Sequence, residues 1–173
     1  MNKAYKYRIY PDSEQEILIN KTFGCVRFVY NKMLANRKEV YERFKDDKEA
    51  LKQQKYLLPA DFKKDFEWLK EVDSLALANA QLNLQSAYKN FFRDKSIGFP
   101  KFKSKHNDKK SYTTNNQGGT IRLVDSKTIR LPKLKDVKIK LHRQLPHDTV
   151  IKSATISKTP TGKYYISVLL EYE

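Results

Sequence analysis

Residues 4–10 (Ala-Tyr-Lys-Tyr-Arg-Ile-Tyr) alternate apolar or aromatic side chains with charged ones, the period of a half-buried strand, and Pro11 ends the run. Ser13 and Glu16 then make an S-x-x-E capping box. The helix it opens carries Ile19, Phe23, Val26, Tyr30 and Met33 on one face. The charge-rich stretch Lys45–Lys55 is expected to be helical and polar nearly all round. Pro59 interrupts it, and a short segment with Phe62, Phe66, Trp68 and Leu69 follows. Asp73 or Ser74 is the expected cap of a further helix reaching about Lys95, with Leu77, Gln81, Leu84, Tyr88 and Phe91 in register. Gly98 and Pro100 stop it.

Beyond a basic, polar loop expected over Lys101–Lys110, the period switches from helix to strand. Thr120–Val124 and Lys127–Leu131 flank Asp125-Ser126, a two-residue hairpin connection. Val137–Leu141 alternates again, and Val150–Ser157 and Lys163–Tyr172 flank the turn Thr159-Pro160-Thr161-Gly162. The order is one strand, a helical block, then five or six strands. A lone N-terminal strand is unstable by itself, so it should join the later strands. The expected class is α+β: a small wedge-type β-barrel from residues 1–10 and 97–173, with residues 11–96 inserted as a helical lobe.

Charge changes the picture most. The 173 residues hold 35 Lys and Arg against 20 Asp and Glu, a net +15. A fold does not need that excess, and a polyanion would offset its self-repulsion through phosphate contacts and counterion release. Between Pro100 and Arg143 there are 13 basic and 3 acidic residues, net +10, so a quarter of the chain holds most of the surplus. Lys101, Lys103, Lys105, Lys133, Lys135 and Arg143 are therefore candidate phosphate contacts. Phe99, Phe102 and Tyr112 are interleaved with the first of these as candidate base-stacking groups. Lys6 and Arg8 share a strand face and join the set, whereas Tyr5, Tyr7 and Tyr10 read as barrel packing. Arg27 and Asn31, one helical turn apart, suit either phosphate binding or intramolecular hydrogen bonds.

Other chemistry is thin. Cys25 is the single cysteine, which excludes an internal disulfide and a Cys-rich zinc site and fits a reducing cytoplasm. His106, His142 and His147 are scattered and lack carboxylate company. No run of residues is apolar enough to span a bilayer, so no membrane partner is expected.

Several segments together resemble the amino-terminal half of TnpB (OrfB) proteins of IS200/IS605-type insertion sequences. They are Tyr7-Arg8-Ile9-Tyr10-Pro11 with Glu14-Gln15, Phe23-Gly24-Cys25-Val26-Arg27-Phe28-Val29-Tyr30-Asn31, and Ala78-Asn79-Ala80-Gln81 leading into Ala87-Tyr88-Lys89-Asn90-Phe91-Phe92. Gly98-Phe99-Pro100-Lys101-Phe102-Lys103, Ser111-Tyr112-Thr113-Thr114 and Leu131-Pro132-Lys133-Leu134 complete the set. The resemblance implies a wedge barrel interrupted by a recognition lobe that holds guide RNA and reads a transposon-adjacent motif on duplex DNA, with sequence choice delegated to pairing. By position, Ser74, Leu75, Ala78 or its neighbour Asn79, and Thr113, Thr114, Asn115 and Asn116 would face bases. It also implies work at the nucleoid of a prokaryotic cell.

The family's Gly-hydrophobe-Asp-x-Gly strand, which carries the first RuvC aspartate, has no counterpart here, and neither have the Cys-x-x-Cys pairs of its zinc ribbon. A two-metal nuclease needs several converging carboxylates. The chain is therefore expected to bind without cutting, with no cofactor of its own, and to partner a RuvC and zinc-ribbon portion. The rival expectations are a stand-alone DNA-binding regulator using its helices as a helix-turn-helix reader, and an enzyme whose active site another chain completes.

Overall fold

The computed structural model describes residues 2–106 and 109–173; Asn107 and Asp108, within the expected basic loop, lie outside the described residues. The chain forms two compact units, one of Met1–Phe23 with His106–Glu173, the other of Gly24–Lys105.

The first unit is built on seven strands: β1 (Asn2–Tyr10), β2 (Lys110–Asn115), β3 (Arg122–Asp125), β4 (Thr128–Leu131), β5 (Lys135–Lys140), β6 (Thr149–Lys158) and β7 (Tyr164–Tyr172). They make one curled, wholly antiparallel half-barrel sheet in the order β2-β6-β7-β1-β5-β4-β3. The N-terminal strand does join the C-terminal ones, and it sits in the middle. Register follows the pleat. Tyr7, Ile9, Val137, Ile139, Ile156, Ile166 and Val168 are buried on one face. Ile19, Thr22 and Phe23, from the start of helix α1 (Ser13–Phe44), are buried with them, and Phe23 meets Tyr112 edge-on at 5.7 Å.

The helix start lies one residue earlier than the sequence suggests. The reciprocal box is Asp12 with Gln15: the Gln15 N–H donates to Asp12 Oδ1 at 2.8 Å, and the Asp12 N–H donates to Gln15 Oε1 at 2.9 Å. A glutamine serves where a glutamate was expected because its amide can also donate. Gln15 Nε2 reaches the carbonyls of Leu134 and Asp136 at 3.1 and 2.7 Å and ties the β4–β5 turn to the helix. That turn needs tying, since Lys133 and Lys135 both take left-handed backbone (φ 68° and 62°) around the buried Leu134. The β3–β4 turn is likewise shifted by one, to Ser126-Lys127.

The second unit holds the rest of α1, then α2 (Lys48–Gln53), α3 (Pro59–Asp65) and α4 (Ser74–Arg93), with a 3₁₀ turn at Glu67–Glu71 and another at Lys95–Ile97. Helix in the charge-rich stretch is confined to α2, which buries nothing. Pro59 opens α3 rather than merely breaking a helix. Asp73 caps α4 through Oδ1 to the Leu75 N–H at 3.0 Å. Val29, Leu34, Leu69, Leu77 and Ala80 are fully or almost fully buried. No described helix is long and apolar enough to cross a membrane.

Candidate nucleic-acid interface

Strand pairing puts directly opposed residues on the same face. On the outer face of the sheet, Lys6 lies across from Ser167, Ser167 from Thr155, and Thr155 from Thr113. The Thr155 and Thr113 hydroxyls touch at 2.8 Å. In the next row Arg8 sits between Tyr165 and Lys140, with Ser157 and then Ser111 beyond Tyr165. In the third, Tyr10 faces Lys138, which faces Thr128. The result is four cations, two tyrosines and a band of small hydroxyls, with no carboxylate in the three rows.

Two of the cations there, Lys6 and Arg8, are ordered by rings rather than by ion pairs. Arg8 lies over Tyr10 at 4.8 Å and Tyr165 at 5.7 Å, and the Lys6 ammonium lies over Tyr165 at 4.9 Å. The rings leave Arg8 Nε buried without a hydrogen-bond partner. Such a group costs about 1–3 kcal/mol unless something compensates it. Nearby acids are engaged elsewhere, Asp136 with Arg130 and Glu171 with Lys152, both at 3.1 Å. Tyr10, expected in the packing, is 46% exposed because it shares the parity of Lys6 and Arg8 rather than that of Tyr7.

Other sequence-derived candidates separate. Tyr112 and Thr114 are 5% and 1% exposed, on the buried face of β2, while Thr113 and Asn115 point outward. Asn116 is occupied with the chain itself. Its Nδ2 donates to the carbonyls of Ile121 and Ile151, and its Oδ1 accepts from the N–H groups of Gly119 and Ile121, at 2.8–3.1 Å. Arg143 stacks on Tyr5 at 3.8 Å, and its carbonyl accepts from the Tyr7 hydroxyl at 3.0 Å, which places it toward the buried side of β1. Lys133 and Lys135 are exposed on their turn. Sequence reasoning missed Lys138, Lys140 and Tyr165. Their alternation was visible, but their neighbours depend on register.

In the helical unit, Ser74 and Ala78 are exposed one turn apart on α4, and Leu75 and Asn79 are half-buried beside them. Asn79 Nδ2 donates to the Leu75 carbonyl at 2.8 Å. Asn31 forms a two-way clamp with residue 103: its Nδ2 donates to the Lys103 carbonyl at 2.9 Å, and its Oδ1 accepts the Lys103 N–H at 2.8 Å. The strap 99–105 is thereby held against α1. The Lys38 ammonium lies over Phe102 at 4.5 Å and Phe99 at 5.4 Å, and that of Lys103 over Tyr30 at 4.3 Å. Lys101 and Lys105 are exposed on the same strap. Burial around the Lys103 ammonium lowers its pKa from 10.5, even though much of the side chain stays open to solvent. Among the described residues no group of three or more His, Cys, Asp or Glu could hold a metal ion.

A curled antiparallel sheet with a helical insertion and a basic outer face describes a wedge-like α+β protein. Residues 1–46 match the helix-turn-helix domain of IS605 OrfB proteins. In this fold those residues are β1 and one uninterrupted stretch of helix α1. Over 99% of its length the chain is 32% identical to a Streptomyces pristinaespiralis protein whose name assigns it RNA-guided DNA endonuclease activity. It is 34% identical, again over 99%, to one so named from Escherichia coli K12, InsQ. It spans 42% and 41% of their lengths. Over 61% of the chain it is 41% identical to the virulence protein VsdF of Salmonella dublin, covering 96% of that protein. The chain belongs to the transposon-associated OrfB (TnpB) family.

Proposed function

We propose that this chain is the nucleic-acid-holding portion of a TnpB-like RNA-guided DNA endonuclease. It binds guide RNA scaffold and the transposon-adjacent-motif duplex, and leaves cleavage to a RuvC and zinc-ribbon portion. The observation that carries the reading is the outer sheet face, where Lys6, Arg8, Lys138 and Lys140 stand among hydroxyls and exposed tyrosine without a carboxylate. Such a surface suits a phosphodiester backbone: cations neutralise phosphates, hydroxyls donate to their oxygens, and small Ser and Thr side chains let the strand approach. Base choice would fall to guide–target pairing and to the exposed Ser74–Ala78 edge of α4, where the Ala78 methyl suits a thymine methyl. The names of the relatives support the choice of RNA and DNA as partners. Binding by this portion needs no cofactor, and its place of work is the nucleoid of a prokaryotic cell.

The test is affinity against salt, using the nucleic acid that co-purifies with the chain. With 6–10 phosphate contacts, binding should weaken by roughly 10³–10⁵-fold between 50 and 200 mM salt. A flat response would overturn the reading.

A further inference from the structure

A second basic feature lies wholly within the helical unit. Arg27, Phe28, Asn31 and Lys32 of α1, with Lys103 and Lys105 of the strap, line a cleft of about 290 Å³. That is at the small end of ligand sites. That volume has room for one nucleotide-sized group and is too small for a duplex.

Its walls are fixed and chemically divided. The Asn31 clamp, one N–H donated and one accepted, sets the strap in place, so Asn31 builds the wall. Phe28 is braced edge-on by Phe66 and Trp68, each 4.8 Å away, which makes an aromatic side to the cleft. The four remaining lining residues are all cationic. Lys32 leans over Phe28 and Phe66 at 5.6 and 5.2 Å. No ion pair to Arg27, Lys32, Lys103 or Lys105 is present among the described residues.

We propose that this cleft takes a single unpaired nucleotide of a bound strand, its base against Phe28 and its phosphate among Arg27, Lys32, Lys103 and Lys105. The inference rests on the reading that the chain binds nucleic acid. An aromatic ring beside clustered cations is the pairing that holds unpaired nucleotides elsewhere, by stacking and charge together. A paired nucleotide would bring its partner base, for which the cleft has no room.

Trp68 is the one tryptophan of the chain and touches Phe28, so its fluorescence reports on the cleft directly. The whole chain is titrated with nucleoside 5′-monophosphates, the matching nucleosides and inorganic phosphate, while anisotropy follows a labelled long single strand. Saturable change with the monophosphates is expected, at least about tenfold tighter than with either fragment. Phe28→Ala should weaken monophosphate binding about tenfold. Because Phe28 is partly buried, the variant Arg27→Gln/Lys105→Gln, which removes two charges and keeps polar side chains of similar reach, provides a second reading and should weaken it similarly. Equal binding of inorganic phosphate would reduce the cleft to an anion site and overturn the proposal. Silence of Trp68 while the long strand still binds would sink the cleft alone. Failure of the long strand to bind would sink both readings.

Discussion

Asn116 shows how one side chain can belong to the fold while looking like a reader of bases. Its amide closes the 116–121 turn, where Gly118 and Gly119 take positive φ, and its own N–H donates to the Lys152 carbonyl at 2.9 Å. Replacing it with alanine strands several part-buried backbone groups. Asn116→Ala is therefore expected to destabilise the protein by about 2–4 kcal/mol, seen as a fall in the urea midpoint. A loss of nucleic-acid affinity with unchanged stability would refute this assignment. The sequence alone left the matter open for good reason: an asparagine that reads adenine and one that holds a turn present the same donor and acceptor. Asn31 poses the same ambiguity, and its two bonds to Lys103 show that it holds the strap.

At the scale of elements, the outer face of β1 and its neighbours was half legible. The alternation of residues 4–10 gave the strand, and the parity of Lys6 and Arg8 gave the face. What alternation does not carry is the pairing offset, since a shift by one residue exchanges the two faces. Only the observed register sets Lys140 beside Arg8 and Lys138 beside Tyr10. The same limit explains the helix start, where two overlapping cap patterns, Asp12/Gln15 and Ser13/Glu16, compete and the tie is broken by the bonds of Gln15 to a distant turn. Lys138→Ala and Lys140→Ala should each lower the salt-dependence slope of binding by about one and leave thermal stability nearly unchanged. If the slope holds while stability drops, these lysines serve the sheet and not a ligand.

For the molecule as a whole, the class and the order of elements along the chain were readable because each local preference agrees with the global arrangement. The isolated first strand had only one place to go. The exceptions are local: the polar Lys45–Lys55 stretch is helical only over α2, which buries nothing that would extend it. The two units should also differ in when they form. Trp68 lies in the helical unit, whose chain is continuous from Gly24 to Lys105. In refolding from urea its fluorescence should recover ahead of the sheet's circular dichroism signal, because contacts near in sequence form fastest. A single phase shared by both signals would contradict this.

The central seat of β1 has a consequence for synthesis. Asn2 pairs with Glu171, and Arg8 pairs with both Tyr165 and Lys140. β1 is thus translated well ahead of both strands it pairs with. At about 5–20 residues per second, it waits roughly 10–30 s while the helices and then the later strands emerge. Over that interval an alternating, tyrosine-rich strand has both edges unsatisfied. Its Lys3, Lys6 and Arg8 are the kind of charges that keep such an edge from joining another nascent chain.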